Sequence, residues 1–223
     1  MIRALVLTAA LIPSLAAAQL TFPGGNIAPG TTWGVPGVSR TVTLGGDVTI
    51  PAGVTLTVLP GTTITAAATD NIMRAGGTSL VDLFVEGTLT VQEASGETTT
   101  FTGPTTSTAS WGGLIVSAGA TMQAGSTRFQ RMSQGVRVTS GASPTTVTMN
   151  NTTFQTSSGC LSFLGSATTG VYSLTGASFI GCASSAAVSV AAGTLSMTSS
   201  IIRDTAGANS ALYVTGGTVT VDR

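Results

Sequence analysis

Along most of the chain, apolar residues recur at i and i+2 with a small polar residue between them. The first member of the doublet falls at Leu56, Leu89, Met122, Val147, Tyr172, Leu195 and Val219, and the second at Val58, Val91, Ala124, Met149, Leu174, Met197 and Val221. The steps between successive first members are 33, 33, 25, 25, 23 and 24 residues. A third column runs Phe101, Phe129, Phe154, Phe179 and Ile202. A fourth pairs Leu83/Val85, Leu114/Val116, Val136/Val138, Leu161/Phe163, Val188/Val190 and Leu212/Val214. Alternation at period two places every second side chain on one side of a strand. A repeat this short cannot bury its own apolar side and becomes stable only when a neighbour stacks on it. No 3.6-residue pattern competes after residue 18. The pattern therefore predicts an all-β, single-domain parallel β-helix with coils of about 23–33 residues, right-handed by the preference of parallel crossovers. Ala118-Gly119, Ser140-Gly141, Thr169-Gly170, Ala192-Gly193 and Gly216-Gly217 precede the first strand of a coil, where glycine supplies positive φ at little cost.

The flanks and interruptions of the pattern divide the chain. Residues 1–18 carry Arg3, an apolar run from Ala4 to Leu15 and Ala16-Ala17-Ala18 before Gln19, the composition of a secretory signal peptide. The run is too short for an ordinary transmembrane span, and Gln19 in place of Cys disfavours a lipid anchor. Residues 19–40, with Pro23, Gly24, Gly25, Pro29, Gly30, Pro36 and Gly37, lack alternation and read as a loop-rich segment that caps the first coil, with Trp33 as its plug. Residues 41–223 form the β-helix. Thr65–Leu80 and Gly103–Ser110 are the added lengths behind the two 33-residue steps. The first, with Asp70, Asn71 and Arg74, is a candidate binding loop and the second a spacer. The chain stops at Val219–Arg223, after the first strand of a new coil and without a cap. It reads as a truncated piece, the alternatives being a mobile end or one covered by another molecule.

The run Val48–Ile64 (VTIPAGVTLTVLPGTTI), Leu83–Val91 (LFVEGTLTV), Thr99–Gly103 (TTFTG) and Ser110–Val116 (SWGGLIV) resembles the opening coils of secreted bacterial right-handed parallel β-helix proteins of the pectin-lyase-like superfamily. The resemblance covers residues 31–223 in architecture, and its specific phrases lie in 41–116. It implies a fold far more than a function, because that superfamily includes lyases, hydrolases, adhesins and proteins of other roles. Its lyases hold Ca²⁺ on several carboxylates and use an Arg or Lys base, and its hydrolases use Asp pairs.

Composition narrows the chemistry. The eight basic residues, all Arg, balance eight acidic ones, so no field draws in nucleic acid or an anionic membrane. Thr, Ser and Gly fill exposed positions instead, which suits an extracellular or cell-surface protein. His and Lys are absent, which excludes a Ser-His triad. The acids Asp47, Asp70, Asp82, Glu86, Glu93, Glu97, Asp204 and Asp222 are scattered. Asp82/Glu86 and Glu93/Glu97 are the closest to a Ca²⁺ pattern, but their spacing reads as solvated turns, so no metal, cofactor or catalytic residue is expected. Arg128, Arg131 and Arg137 form the only basic cluster. They are a weak candidate spot for an acidic glycan, against the plainer reading of a solubilised coil.

Cys160 and Cys182 fall near the same corner of adjacent coils, about 4.8 Å apart. In an exported chain they are either a structural disulfide or two buried thiols. Outward Thr residues flank the first inward column: Thr55/Thr57, Thr88/Thr90, Thr146/Thr148 and Thr218/Thr220, with Thr121/Gln123, Val171/Ser173 and Thr194/Ser196 between them. This grid resembles the ice-binding face of some β-solenoid antifreeze proteins and breaks at Gln123 and Val171/Ser173. The plainer reading is that Thr suits an exposed strand. The resulting expectation is a secreted or cell-surface structural or adhesive β-helix without catalysis, with a glycan or surface component as partner. The alternatives are a carbohydrate-active β-helix acting on acidic polysaccharide, its catalytic coils lying beyond residue 223, and an ice-binding solenoid.

Overall fold

The computed structural model describes residues 19–35, 40–74, 79–139, 141–164, 170–183, 186–204 and 210–223. The expected signal peptide, residues 1–18, lies outside them, as do Pro36, Gly37, Ser140 and Thr169. The described residues form no helix and three eight-stranded sheets. The first sheet runs from Leu20–Phe22 to Ile201–Arg203, the second from Gly25–Asn26 to Ser210–Val214 and the third from Thr32–Trp33 to Thr218–Asp222. The chain visits the three in turn, and every strand pairing within them is parallel. This is a parallel β-solenoid.

The inward columns hold register throughout. Leu56 pairs with Leu89, then Met122, Val147, Tyr172, Leu195 and Val219 follow down the third sheet. In the first sheet Phe101, Phe129, Phe154 and Phe179 stack with ring centroids 5.3, 5.2 and 4.8 Å apart, all fully buried. Phe163 of the second sheet stacks on Tyr172 of the third at 3.9 Å, joining two walls across the core. Each buried ring contributes about 1.5–3 kcal/mol of transfer free energy, and its neighbours in register remove the gap that a lone ring would leave.

The corners carry a second repeat. Ser126, Asn151, Gly176 and Ser199, between the third sheet and the first, all have positive φ of 42–62°. Five residues on, at the end of the first sheet's strands where the chain turns toward the second, Arg131, Thr156, Gly181 and Asp204 do the same at 50–66°. A non-glycine residue with positive φ is held there by its surroundings. Here the hold is the ladder itself, since Ser126, Asn151, Gly176 and Ser199 each donate a backbone N–H to a carbonyl of the next coil at 2.8–3.1 Å. At the remaining corner Gly119, Gly193 and Gly217 have φ of 80–87°, the role that their position before a strand predicts.

Residues 19–35 differ from the loop-rich reading. Leu20–Phe22, Gly25–Asn26 and Thr32–Trp33 pair with Thr41–Leu44, Val48–Ile50 and Thr55–Val58 as one more coil. Strands of two or three residues are too short to show alternation, which is why the Pro and Gly content dominates that stretch. Trp33 is buried, paired with Val58, with its ring 6.0 Å from that of Phe22. In the strand Thr218–Asp222 the inward-column residue Val221 is 63% exposed.

Candidate functional site

The outer faces carry hydroxyls in rows. On the third sheet Thr55, Thr88, Thr121, Thr146, Val171, Thr194 and Thr218 are successive register partners, and beside them run Thr57, Thr90, Gln123, Thr148, Ser173, Ser196 and Thr220. Rows lie about 6.6 Å apart and neighbours within a row about 4.8 Å apart. The first sheet carries a similar array that the sequence reading missed. Thr41, Thr63 and Thr100 form one row, and Thr21, Thr43, Thr65 and Thr102 the other. Its signal was the Thr-apolar-Thr spacing at Thr41/Thr43 and Thr63/Thr65, hidden because the 33-residue steps interrupt the period. Arg128 and Gln130 end these rows in the next coil.

The three arginines of the expected basic spot do not share a sheet. Arg128 is exposed on the first, Arg137 lies on the second with its guanidinium bonded to Gln134, and Arg131 sits at the corner between them, 3.4 Å from Thr102 Oγ1. Arg137 fills the outward position between inward Val136 and Val138, and the corner turns its direction away from that of Arg128.

Charge concentrates instead where the first insertion folds onto the second sheet. The Arg74 guanidinium lies 4.4 Å over the Phe84 ring, pairs with Glu86 and donates to Thr49 Oγ1 at 3.2 Å. Buried Asp47 accepts the backbone N–H of Asp82 (2.7 Å) and of Arg74 (2.8 Å). Asp70 Oδ1 accepts those of Asp47 and Ile72. Burial pushes the Asp47 carboxyl above its ordinary range and the nearby Asp70 carboxyl adds to the push, while the two N–H donors oppose it. A cleft of roughly 310 Å³ opens between this clamp and Gly25 and Asn26. Asp82, which the sequence placed at a solvated turn beside Glu86, is fully buried under the clamp.

Glu93 and Glu97 leave the same turn in different directions. Glu97 accepts from Arg40 Nη1 at 2.8 Å. Glu93 Oε1 accepts from Ser126 Oγ at 2.8 Å and from Asn151 Nδ2 at 2.9 Å, and these donors, the Asn151 amide first, hold its carboxyl below the usual carboxylate range. Among the described residues no group of three or more His, Cys, Asp or Glu side chains is arranged to hold a metal. Beside Glu93 a cleft of roughly 190 Å³ cuts into the third sheet's outer face. Cys160 and Cys182 form a buried disulfide with Cα atoms 5.9 Å apart, tying adjacent coils at the corner between the first and second sheets. No family model, no curated protein and no solved structure matches this chain.

Proposed function

We propose that this protein is a secreted or cell-surface bacterial β-solenoid that presents its flat outer faces to an extracellular glycan or surface component, in a structural or adhesive role without catalysis. The observation that carries the reading is the pair of uncharged hydroxyl arrays held in register on the first and third sheets. A rigid strand scaffold presets side chains that a loop would have to order on binding, so their conformational entropy is already lost. Each hydroxyl offers one donor and two acceptor lone pairs, which match a polyhydroxylated polymer. The test applies the mature protein to a glycan array and follows turnover of acidic polysaccharides in the same samples. Retention without turnover is expected, and lyase or hydrolase turnover sinks the non-catalytic reading. A second reading, ice binding, draws on the same Thr rows of the third sheet. It requires thermal hysteresis in freezing solutions that disappears when Thr88 and Thr90 are replaced by bulky residues.

A further inference from the structure

The third sheet's Thr rows break at Gln123, and the break coincides with a concavity. In the outward row that continues as Gly125, Asn150, Thr175, Thr198 and Asp222, the first position has no side chain. A Cβ built on Gly125 would lie 2.6 Å from Glu93 Cβ and 3.1 Å from Glu93 Oε2, so the glycine is what admits the glutamate. The result is a notch walled by Thr90, Glu93, Gln123, Thr148 and Asn150, with Gly125 as its floor, drawn from three adjacent coils.

We propose that this notch is a binding subsite for a neutral sugar unit, in which Glu93 Oε2 accepts one sugar hydroxyl and the carboxamides of Gln123 and Asn150 bond others. The inference rests on the display reading and names a place and ligand class for it. Both protein donors to Glu93, Ser126 and Asn151, fall on Oε1, so the carboxylate is oriented while Oε2 remains available. Among the described residues no protein partner engages the Gln123 or Asn150 carboxamide, and each brings donors and an acceptor to the cleft. No cation lines it and one carboxylate does, which disfavours a uronate or phosphate. One carboxylate is also far short of the six to eight oxygens that Ca²⁺ gathers. At roughly 190 Å³ the notch is smaller than a drug-sized pocket of about 300 Å³ or more, so it takes one ring of a chain lying along the sheet.

The test is calorimetric titration of the mature protein with cellotetraose, mannotetraose, laminaritetraose and chitotetraose, and with tetragalacturonate as the anionic member. Wild type is compared with Glu93→Gln, which turns the acceptor into a donor, with Gln123→Thr, which restores the Thr row, and with Ser162→Ala on the second sheet, outside both hydroxyl arrays. Binding of a neutral tetrasaccharide that weakens about tenfold in each notch variant, with Ser162→Ala binding as wild type does and every variant still unfolding cooperatively, supports the proposal. Neutral binding that the notch variants leave untouched overturns the subsite and leaves the display reading standing, as does binding of tetragalacturonate alone. Binding of no sugar here or on the glycan array overturns the subsite and the glycan branch of the display reading together.

Discussion

From Leu56 to Met122 each coil takes 33 residues, and from Met122 onward 23 to 25, yet both regions build the same three sheets with unbroken inward columns. The difference lies in what holds them. The chain before Met122 carries six of the eight acids and is fastened from outside, by Arg40–Glu97, Arg74–Glu86 and the buried Asp47 with its backbone donors. The later coils are fastened from inside, by the stacked phenylalanines and the Cys160–Cys182 bridge. A solenoid can thus accept added length wherever polar contacts return the excess chain to the sheet. Where no length is added, close packing suffices.

Perturbing each fastening tests that contrast. Phe154→Ala removes the middle ring of the stack and is expected to cost about 3–5 kcal/mol by denaturant unfolding. A loss under 1 kcal/mol would mean that the stack is not what holds the later coils. Reducing the Cys160–Cys182 bridge, or replacing both residues with Ala, should cost about 3 kcal/mol for a closed loop of this length. The expected signature is faster amide exchange in the coils around Leu161 and Phe179 and none around Val48. Arg74→Ala frees the insertion at about 1–2 kcal/mol, through the lost ion pair, ring contact and hydrogen bond. Its exchange signature should be the reverse, confined to the first three coils.

The smallest effect separates two carboxylates by sign. Asp47 has its folded pKa raised above the ordinary 3.8, so its ionisation costs stability at neutral pH, and that cost is relieved as pH falls through the raised value. Glu93 is held below 4.5, so its contribution is present above the ordinary value and lost only as pH falls through the lowered one. Thermal melts between pH 7 and 4 should show a gain on mild acidification that flattens in Asp47→Asn. Below that range, a loss should be reduced in Glu93→Gln. A monotonic fall indifferent to Asp47→Asn would contradict the assignment.

The core was legible because its signal is periodic. Columns such as Leu56–Leu89–Met122 and Phe129–Phe154–Phe179 are pairs in space at the spacings they have in sequence. The first coil escaped because its strands are two or three residues long and Pro and Gly outweigh Leu20, Phe22 and Trp33. The left-handed corners at Asn151 and Thr156 escaped because neither residue is glycine and the requirement comes from hydrogen bonds between coils. Gln123 was visible only as a defect in a Thr row. Its meaning depends on Glu93, thirty residues earlier, entering the space that Gly125 leaves, which no local pattern encodes. Arg128 and Arg137 illustrate a related point, since nearness in sequence across a corner becomes divergence in space.

The scarcity of ion pairs in the later coils has one further consequence. Mobile ions weaken attractions between exposed charges, whose reach is about 10 Å at 0.1 M and about 3 Å at 1 M. Past Thr121 the described residues show one ion pair, Arg203–Asp204 at 3.9 Å, so brine finds little there to screen. The early clamp, with Arg40–Glu97 on the surface, answers to salt. The same chain therefore combines a section little affected by ionic strength with one that loosens as salt is added.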